Sequence, residues 1–263
     1  MNTDQQKEVP ASRNVRVADA ARRILTEAVS RGITLRLSGG VACWERCPEF
    51  RHSLAWAGRT LKDIDLVGYF RDKRRVDAMF VDLGLREDPH VATIPGARRS
   101  VFRASGDGWH CDVFYDVLEF CHTIDLRKRL EVELLTIPLM ELLLQKLQIV
   151  ELNWKDVLDI QLLLREHEIG AGDAGVINAQ LLSEICGRDW GMWHTVTINL
   201  TRVKSNTLER NDLDAADRRA IASRIEELTR ALDRQPKTLR WKLRALLGER
   251  VRWYNQVEEI SLT

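Results

Sequence analysis

Two aspartates separated by one residue, Asp63 and Asp65, are the strongest chemical signal in the chain. The run Asp63-Ile64-Asp65-Leu66-Val67-Gly68-Tyr69 alternates as a strand does, and residues two apart on a strand share a face. Both carboxylates therefore project together, while Ile64 and Leu66 face a buried layer. Crowded carboxylates repel each other unless a proton or a cation lies between them. A hard divalent cation suits such a pair, because Mg²⁺ takes one or two carboxylates and completes its shell with water and phosphate oxygens. Asp-x-Asp alone is a weak signal, since surface strands often carry two acids.

The surroundings add to it. Upstream, Leu37-Ser38-Gly39-Gly40 stands between a strand pattern, Ile33–Leu37, and a short apolar segment, Val41–Trp44, that opens a helix. Glycines there let backbone N–H groups approach an anion, and a helix N-terminus contributes positive potential. The plainer reading is a tight strand-to-helix turn. Downstream, Cys111–Asp116 is a strand candidate with Asp112 and Asp116 on one face. Paired beside the Asp63 strand, it would bring Asp112 to the two acids as a third carboxylate. Asp116, nearer the strand end, is the second choice. His110 is assigned to the face opposite Asp112 and given no role.

These groups need elements to position them. Residues 1–15 are polar and read as a flexible N-terminus. Helical spacing covers 15–30 and 73–83, ending near Gly32 and Gly84. Strands are expected at 33–37, 63–69, 100–104 and 109–117, with a turn at 105–108 and a short further strand at 131–136. The pattern then becomes helical, at 139–150, 153–164, 176–186, 215–232 and 239–247, with no strand expected. The fold class is α/β (α+β): a mixed sheet with helices over 16–135, followed by a helical domain over 136–263.

Composition narrows the classes. Of 263 residues, 44% are hydrophobic and 30% charged, which supports a packed core and excludes a disordered chain. With 40 Lys and Arg against 39 Asp and Glu, net charge is silent about nucleic acid. One local patch is basic: 236–254 holds Lys237, Arg240, Lys242, Arg244, Arg250 and Arg252 against Glu249. No apolar run approaches the roughly 20 residues of a membrane-spanning helix, and Met1–Arg16 lacks the apolar core of a signal peptide. Five cysteines do not form a disulfide framework, and Cys43 and Cys47 have no second pair to complete a zinc site. The expectation is a cytoplasmic protein with reduced thiols and no membrane association.

Taken in order, Ser38-Gly39-Gly40, Asp63-Ile64-Asp65 and Asp112 resemble the nucleotidyltransferases of the DNA polymerase β superfamily. The run Arg59-Thr60-Leu61-Lys62-Asp63-Ile64-Asp65-Leu66 looks like the minor nucleotidyltransferases. The segment Pro138-Leu139 through Lys146-Leu147, followed by Lys155-Asp156-Val157-Leu158-Asp159-Ile160, is similar to the AbiEii-type toxin nucleotidyltransferases. The resemblance spans roughly residues 33–165, with 43–58 as an insertion. It implies a nucleotidyltransferase-type sheet and transfer of a nucleoside monophosphate from a nucleoside triphosphate to a hydroxyl. Asp63, Asp65 and Asp112 would be catalytic and would hold Mg²⁺, with two ions expected. Ser38, Gly39, Gly40 and Lys146 would hold the triphosphate, with Arg59, Thr60 and Asp156 in supporting roles. An RNA or protein acceptor and an antitoxin-like partner follow from the toxin likeness. An aminoglycoside-like acceptor and a non-catalytic nucleotide-binding module are the alternatives.

Structural readings stand beside these. Lys146, after Leu142-Leu143-Leu144, could snorkel from an amphipathic helix. Asp156 and Asp159 could cap a helix after Asn153 or pair with Lys155 and Arg165. Trp190, Trp193, Trp241 and Trp253 read as packing. In the basic patch, Leu239, Leu243, Leu246 and Leu247 share one helix face and Lys237, Arg240 and Arg244 another, which fits a solvated helix or a contact with an RNA backbone.

Overall fold

In the computed structural model the described residues are 10–52, 56, 58–92, 97–104 and 109–256. They divide into two compact units, 1–116 and 117–263. The class is mixed α/β, with a mixed sheet in the first unit and helices dominating the second.

The first unit opens with α1 (Pro10–Ser30), which starts five residues before the apolar pattern does. Proline tolerates a first helical turn because its missing N–H would be unpaired there anyway. Strand β1 (Leu35–Ser38) runs straight into α2 (Gly39–Arg46). Then come β2 (Asp63–Gly68), α3 (Lys73–Asp82), β3 (Arg86–Glu87), the short α4 (Pro89–Ala92), β4 (Arg99–Arg103) and β5 (His110–Tyr115). The turn expected at 105–108 lies outside the described residues.

The sheet order is β1-β2-β5-β4-β3. Only β2 and β5 run parallel; the other neighbours are antiparallel. Period-two alternation gives the sheet two unlike faces. One carries Leu35, Leu37, Ile64, Leu66, Val113 and Phe102, all at most 1% exposed. Helices α1 and α3 bring Ala21, Ile24, Val76, Met79 and Phe80 into the same core, and Phe80 stacks on Phe102 with ring centroids 4.3 Å apart. The opposite face is polar and charged: Arg36, Ser38, Asp63, Asp65, His110, Asp112, Arg99 and Arg103 fall on it by register.

The second unit begins with a hairpin, β6 (Val117–Glu119) and β7 (Thr123–Asp125), which the sequence reading left inside the first domain. No strand forms at 131–136; that stretch is turns, with Thr136 in an isolated bridge. The helices are α5 (Leu139–Leu147), α6 (Trp154–Glu166), α7 (Ala179–Arg188), α8 (Trp190–Glu209), α9 (Ala215–Arg234) and α10 (Leu239–Leu247). Two short strands absent from the sequence expectation, β8 (Ile169–Gly170) and β9 (Ile177–Asn178), pair in parallel between α6 and α7. Side chains cap five of these helices: Asn153 accepts from Lys155 and Asp156 N–H, Asn178 from Leu181, Asp189 from Met192, Asp214 from Asp217 and Thr238 from Trp241. Such caps are each worth about 1 kcal/mol. Among the described residues, no helix is long and apolar enough to cross a membrane.

Candidate active site

Strand register assembles the site. Ser38 of β1 pairs with Asp65 of β2, and Asp65 pairs with Asp112 of β5, so three polar side chains form one row across three strands. One step along, Asp63 pairs with His110. Register partners on one face lie about one strand spacing apart, so the Asp65 and Asp112 carboxylates are neighbours.

The glycine turn is built around this row. Gly39 has φ +63, in the left-handed region, and a Cβ placed on it would lie 2.0 Å from Asp65 Oδ2. Glycine is needed twice over here, for the backbone conformation and for the carboxylate against it. A Cβ on Gly40 would lie 2.3 Å from Arg59 Nη2, so the Arg59 guanidinium lies over the first turn of α2. Arg59 Nη1 donates to the Thr60 carbonyl at 2.7 Å. Helix α1 clamps the same loop: Asn14 Nδ2 donates to Arg59 O at 2.7 Å, Leu61 N donates to Asn14 Oδ1 at 2.8 Å, and Arg13 Nε donates to Leu61 O. The chain therefore enters β2 on a fixed path.

Arg99 and His110 reach the acids on this face. Arg99 Nη2 donates to Asp112 Oδ2 at 2.7 Å. His110 Nδ1 lies 3.0 Å from Asp63 Oδ1, and its Nε2 lies 3.9 Å from Asp112 Oδ2. The assignment of His110 to the opposite face is thus corrected: His110 and Asp112 are two apart on β5, and period two puts them together. Asp116 is not the third acid. It follows β5 with φ +65, accepts from Phe70 N and pairs with Arg98 at 2.9 Å, which makes it a turn residue.

Three buried polar atoms of this face have no hydrogen-bond partner: Ser38 Oγ, Asp112 Oδ1 and Arg99 Nε. Ser38 sits at the N-cap of α2, yet its side chain makes no capping bond. Buried groups left unsatisfied each cost about 1–3 kcal/mol and are rare in native folds. Ser38 and Asp112 stand on the same register row, and Arg99 reaches it from the neighbouring strand. On the core face of the same strand, burial pushes the Cys111 thiol well above its ordinary value, and the Asp112 and Asp65 carboxylates push the same way.

The donor set fits a hard cation in part. Asp65 and Asp112, with the spare Asp112 Oδ1, match the one or two carboxylates that Mg²⁺ takes. Among the described residues no three His, Cys, Asp or Glu side chains converge to hold a metal ion. Asp63 is drawn to His110 and Asp112 to Arg99 instead.

Lys146 and Asp156 lie in the second unit. Lys146 Nζ is 2.9 Å from Asp156 Oδ1 and 3.0 Å from Asp159 Oδ2, and all three residues are buried. Lys146 does not snorkel to solvent, and the two aspartates meet it rather than Lys155 or Arg165. Arg99 and His110 are what sequence reasoning missed. The His110–Asp112 spacing could have found the first contact; the β4 register that delivers Arg99 leaves no local signal.

No family model matches the chain, and no curated protein matches it. Among solved structures, the antibiotic-resistance factor ANT(2'')-Ia, determined in solution and described as having substrate-regulated conformation dynamics, aligns with a TM-score of 0.40 and 14% identity. The alignment covers 57% of this chain and 83% of that one.

Proposed function

We propose that the first unit transfers a nucleoside monophosphate from a nucleoside triphosphate to an acceptor hydroxyl. The observation that carries this reading is the Ser38–Asp65–Asp112 row with its unpartnered buried oxygens, set against the positive-φ turn at Gly39. The acceptor oxygen attacks the α-phosphorus, the bond to pyrophosphate breaks, and the hydroxyl proton leaves to a carboxylate. Asp65 would hold Mg²⁺ together with Asp63, once Asp63 leaves His110; the ion when bound neutralises phosphate charge. Asp112 would accept the hydroxyl proton or complete a second metal position. Ser38 and the N–H groups of Gly39 and Gly40 would receive the triphosphate at the start of α2, and Arg59, over Gly40, would meet its outer phosphates. Thr60 serves through its carbonyl, which orients Arg59.

A second observation bears on the acceptor. Beside the loop that α1 clamps, a cavity of about 300 Å³ is lined by Arg13, Arg16, Arg23 and Trp109, with Asp19 as its one acid. A polycationic aminoglycoside would be repelled there, whereas an anionic acceptor such as RNA would be attracted. This favours an anionic acceptor, as in the toxin-like reading, over an aminoglycoside; the antitoxin-like partner rests on the family resemblance alone.

The test is incubation with each α-labelled nucleoside triphosphate, Mg²⁺, and RNA, protein or aminoglycoside acceptors. Label on RNA supports the proposal. Label on aminoglycoside alone moves the acceptor to the alternative. Nucleotide binding with no transfer to any acceptor returns the fold to a non-catalytic module. Asp112→Ala should keep nucleotide binding and lower transfer at least about 10²-fold.

A further inference from the structure

A second cavity belongs entirely to the helical unit. It measures about 380 Å³ and is lined by Arg188, Arg240 and Arg244 together with Trp190, Trp241 and Trp253. That volume lies within the roughly 300–1,000 Å³ of small-molecule sites.

Its back wall is fixed. Arg244 donates to the carbonyls of Gly248 at 2.8 Å and Val251 at 2.6 Å, and its guanidinium lies 4.6 Å from the Trp190 ring centroid. Trp190 stacks in turn on His194, with centroids 4.7 Å apart and planes 12° from parallel. Trp253 is pinned through its indole N–H to Thr195 Oγ1 at 3.0 Å. Gly191 permits this approach, since a Cβ there would lie 2.5 Å from the Trp253 carbonyl.

The front is different. Arg188 and Arg240 are exposed. Arg188 has Glu184 only at 3.7 Å, and Arg240 forms no ion pair with a described residue. The one acid at the cavity, Asp189, already accepts the Met192 N–H as the cap of α8. Three arginines, Arg188, Arg240 and Arg244, thus face one lining acid, Asp189, with Glu184 at the edge, beside the half-buried indoles of Trp241 and Trp253. Cations that can fork onto a phosphate, next to flat apolar rings, are the combination that recognises a phosphate with its neighbouring base.

We propose that this cavity binds single-stranded RNA, with a phosphate on Arg188 and Arg240 and a base against Trp241 or Trp253. Its biological sense, as a docking point for the acceptor, rests on the nucleotidyl-transfer reading; the binding itself does not.

The experiment uses the full chain and a fluorescein-labelled oligouridylate of about 10 nucleotides, a length within the roughly 4–16 nucleotides that single-strand sites cover. Anisotropy is followed without Mg²⁺ or nucleoside triphosphate. The double variant Arg188→Glu/Arg240→Glu should weaken binding at least tenfold. It should also flatten the salt dependence by ~1.4, for two lost phosphate contacts on a single strand. Trp241→Leu should weaken binding about tenfold with little change in salt slope. Because Trp241 also packs on Trp193, its thermal midpoint is measured alongside, and the exposed arginine pair decides if that variant unfolds. Unchanged affinity and slope in the arginine pair overturn the proposal. So does tighter binding of an oligoglutamate peptide or of free uridine monophosphate than of the oligomer. Asp65→Asn should bind RNA as the parent does. RNA binding retained without label transfer counts against the transfer reading alone, and transfer without an arginine effect counts against this cavity alone.

Discussion

The Asp65 carboxylate fills the space in which a side chain at residue 39 would stand: a Cβ on Gly39 would lie 2.0 Å from Asp65 Oδ2. The glycine turn and the acid strand are therefore one device, and each constrains the other.

Gly39→Ala tests that coupling. The left-handed φ costs a non-glycine residue about 1–2 kcal/mol, and the new methyl must also displace Asp65. Stability should fall by at least that amount, and Mg²⁺-nucleotide affinity by more than tenfold. Gly40→Val meets side-chain ends, the Arg59 guanidinium and the Leu61 methyl, at ordinary helical φ, so its stability cost should be smaller while triphosphate affinity still drops. Calorimetric melting and titration of both variants check this. Affinity losses no larger than the stability losses would mean that the turn is only structural.

Arg99 holds Asp112 by a charge-assisted bond in a mostly buried setting, worth about 1.5–3 kcal/mol. Arg99→Met should destabilise the metal-free protein by that order, because it leaves the Asp112 carboxylate without its cation. Added Mg²⁺ should then raise the melting temperature more in the variant than in the parent. No difference in the Mg²⁺ response would separate Asp112 from the metal site.

The acids on the sheet were legible from spacing alone, since Asp63, Asp65 and Asp112 need only the period of two and a partner strand. Their company was not. Arg99 reaches Asp112 through the β4–β5 register, which depends on chain between the strands rather than on either strand's own residues. Helix α8 was also missed: Thr195-Val196-Thr197-Ile198-Asn199 is β-branched and polar, and packing against α9 overrides that local preference. The chain divides at Asp116 rather than near 135 because the β6–β7 hairpin contacts the helices that follow it. The lysine of α5 was found, but its two buried aspartate partners require α5 and α6 to pack, which periodicity does not reveal.

Lys146→Met distinguishes the two roles of that lysine. Removing one partner of a buried ion cluster costs about 3–5 kcal/mol. A stability loss of that size with triphosphate affinity intact would make the cluster structural. A loss of affinity beyond what unfolding explains, measured well below the melting point, would support a phosphate contact.

His122 gives the helical unit a pH dependence. Its ring is buried beside Thr195, and burial lowers its pKa below the ordinary 6.5. The folded state keeps the ring neutral while the unfolded chain takes up a proton as pH falls through 6.5, so the unfolded state binds more protons in that window. Stability should fall as pH drops from 6.5 to the lowered native value and level off below it. Denaturant unfolding from pH 8 to 5 in the parent and in His122→Gln checks this; an identical pH slope in both contradicts it.

Isothermal titration of Mg²⁺-nucleoside triphosphate into the parent protein and into Asp65→Asn tests the central claim most directly. The site described predicts binding that requires Mg²⁺ in the parent and is at least tenfold weaker in Asp65→Asn. The thermal midpoint of the metal-free variant should be unchanged or raised, because one of two crowded charges has been removed. Equal affinity in the two proteins, or nucleotide binding indifferent to Mg²⁺, would contradict it.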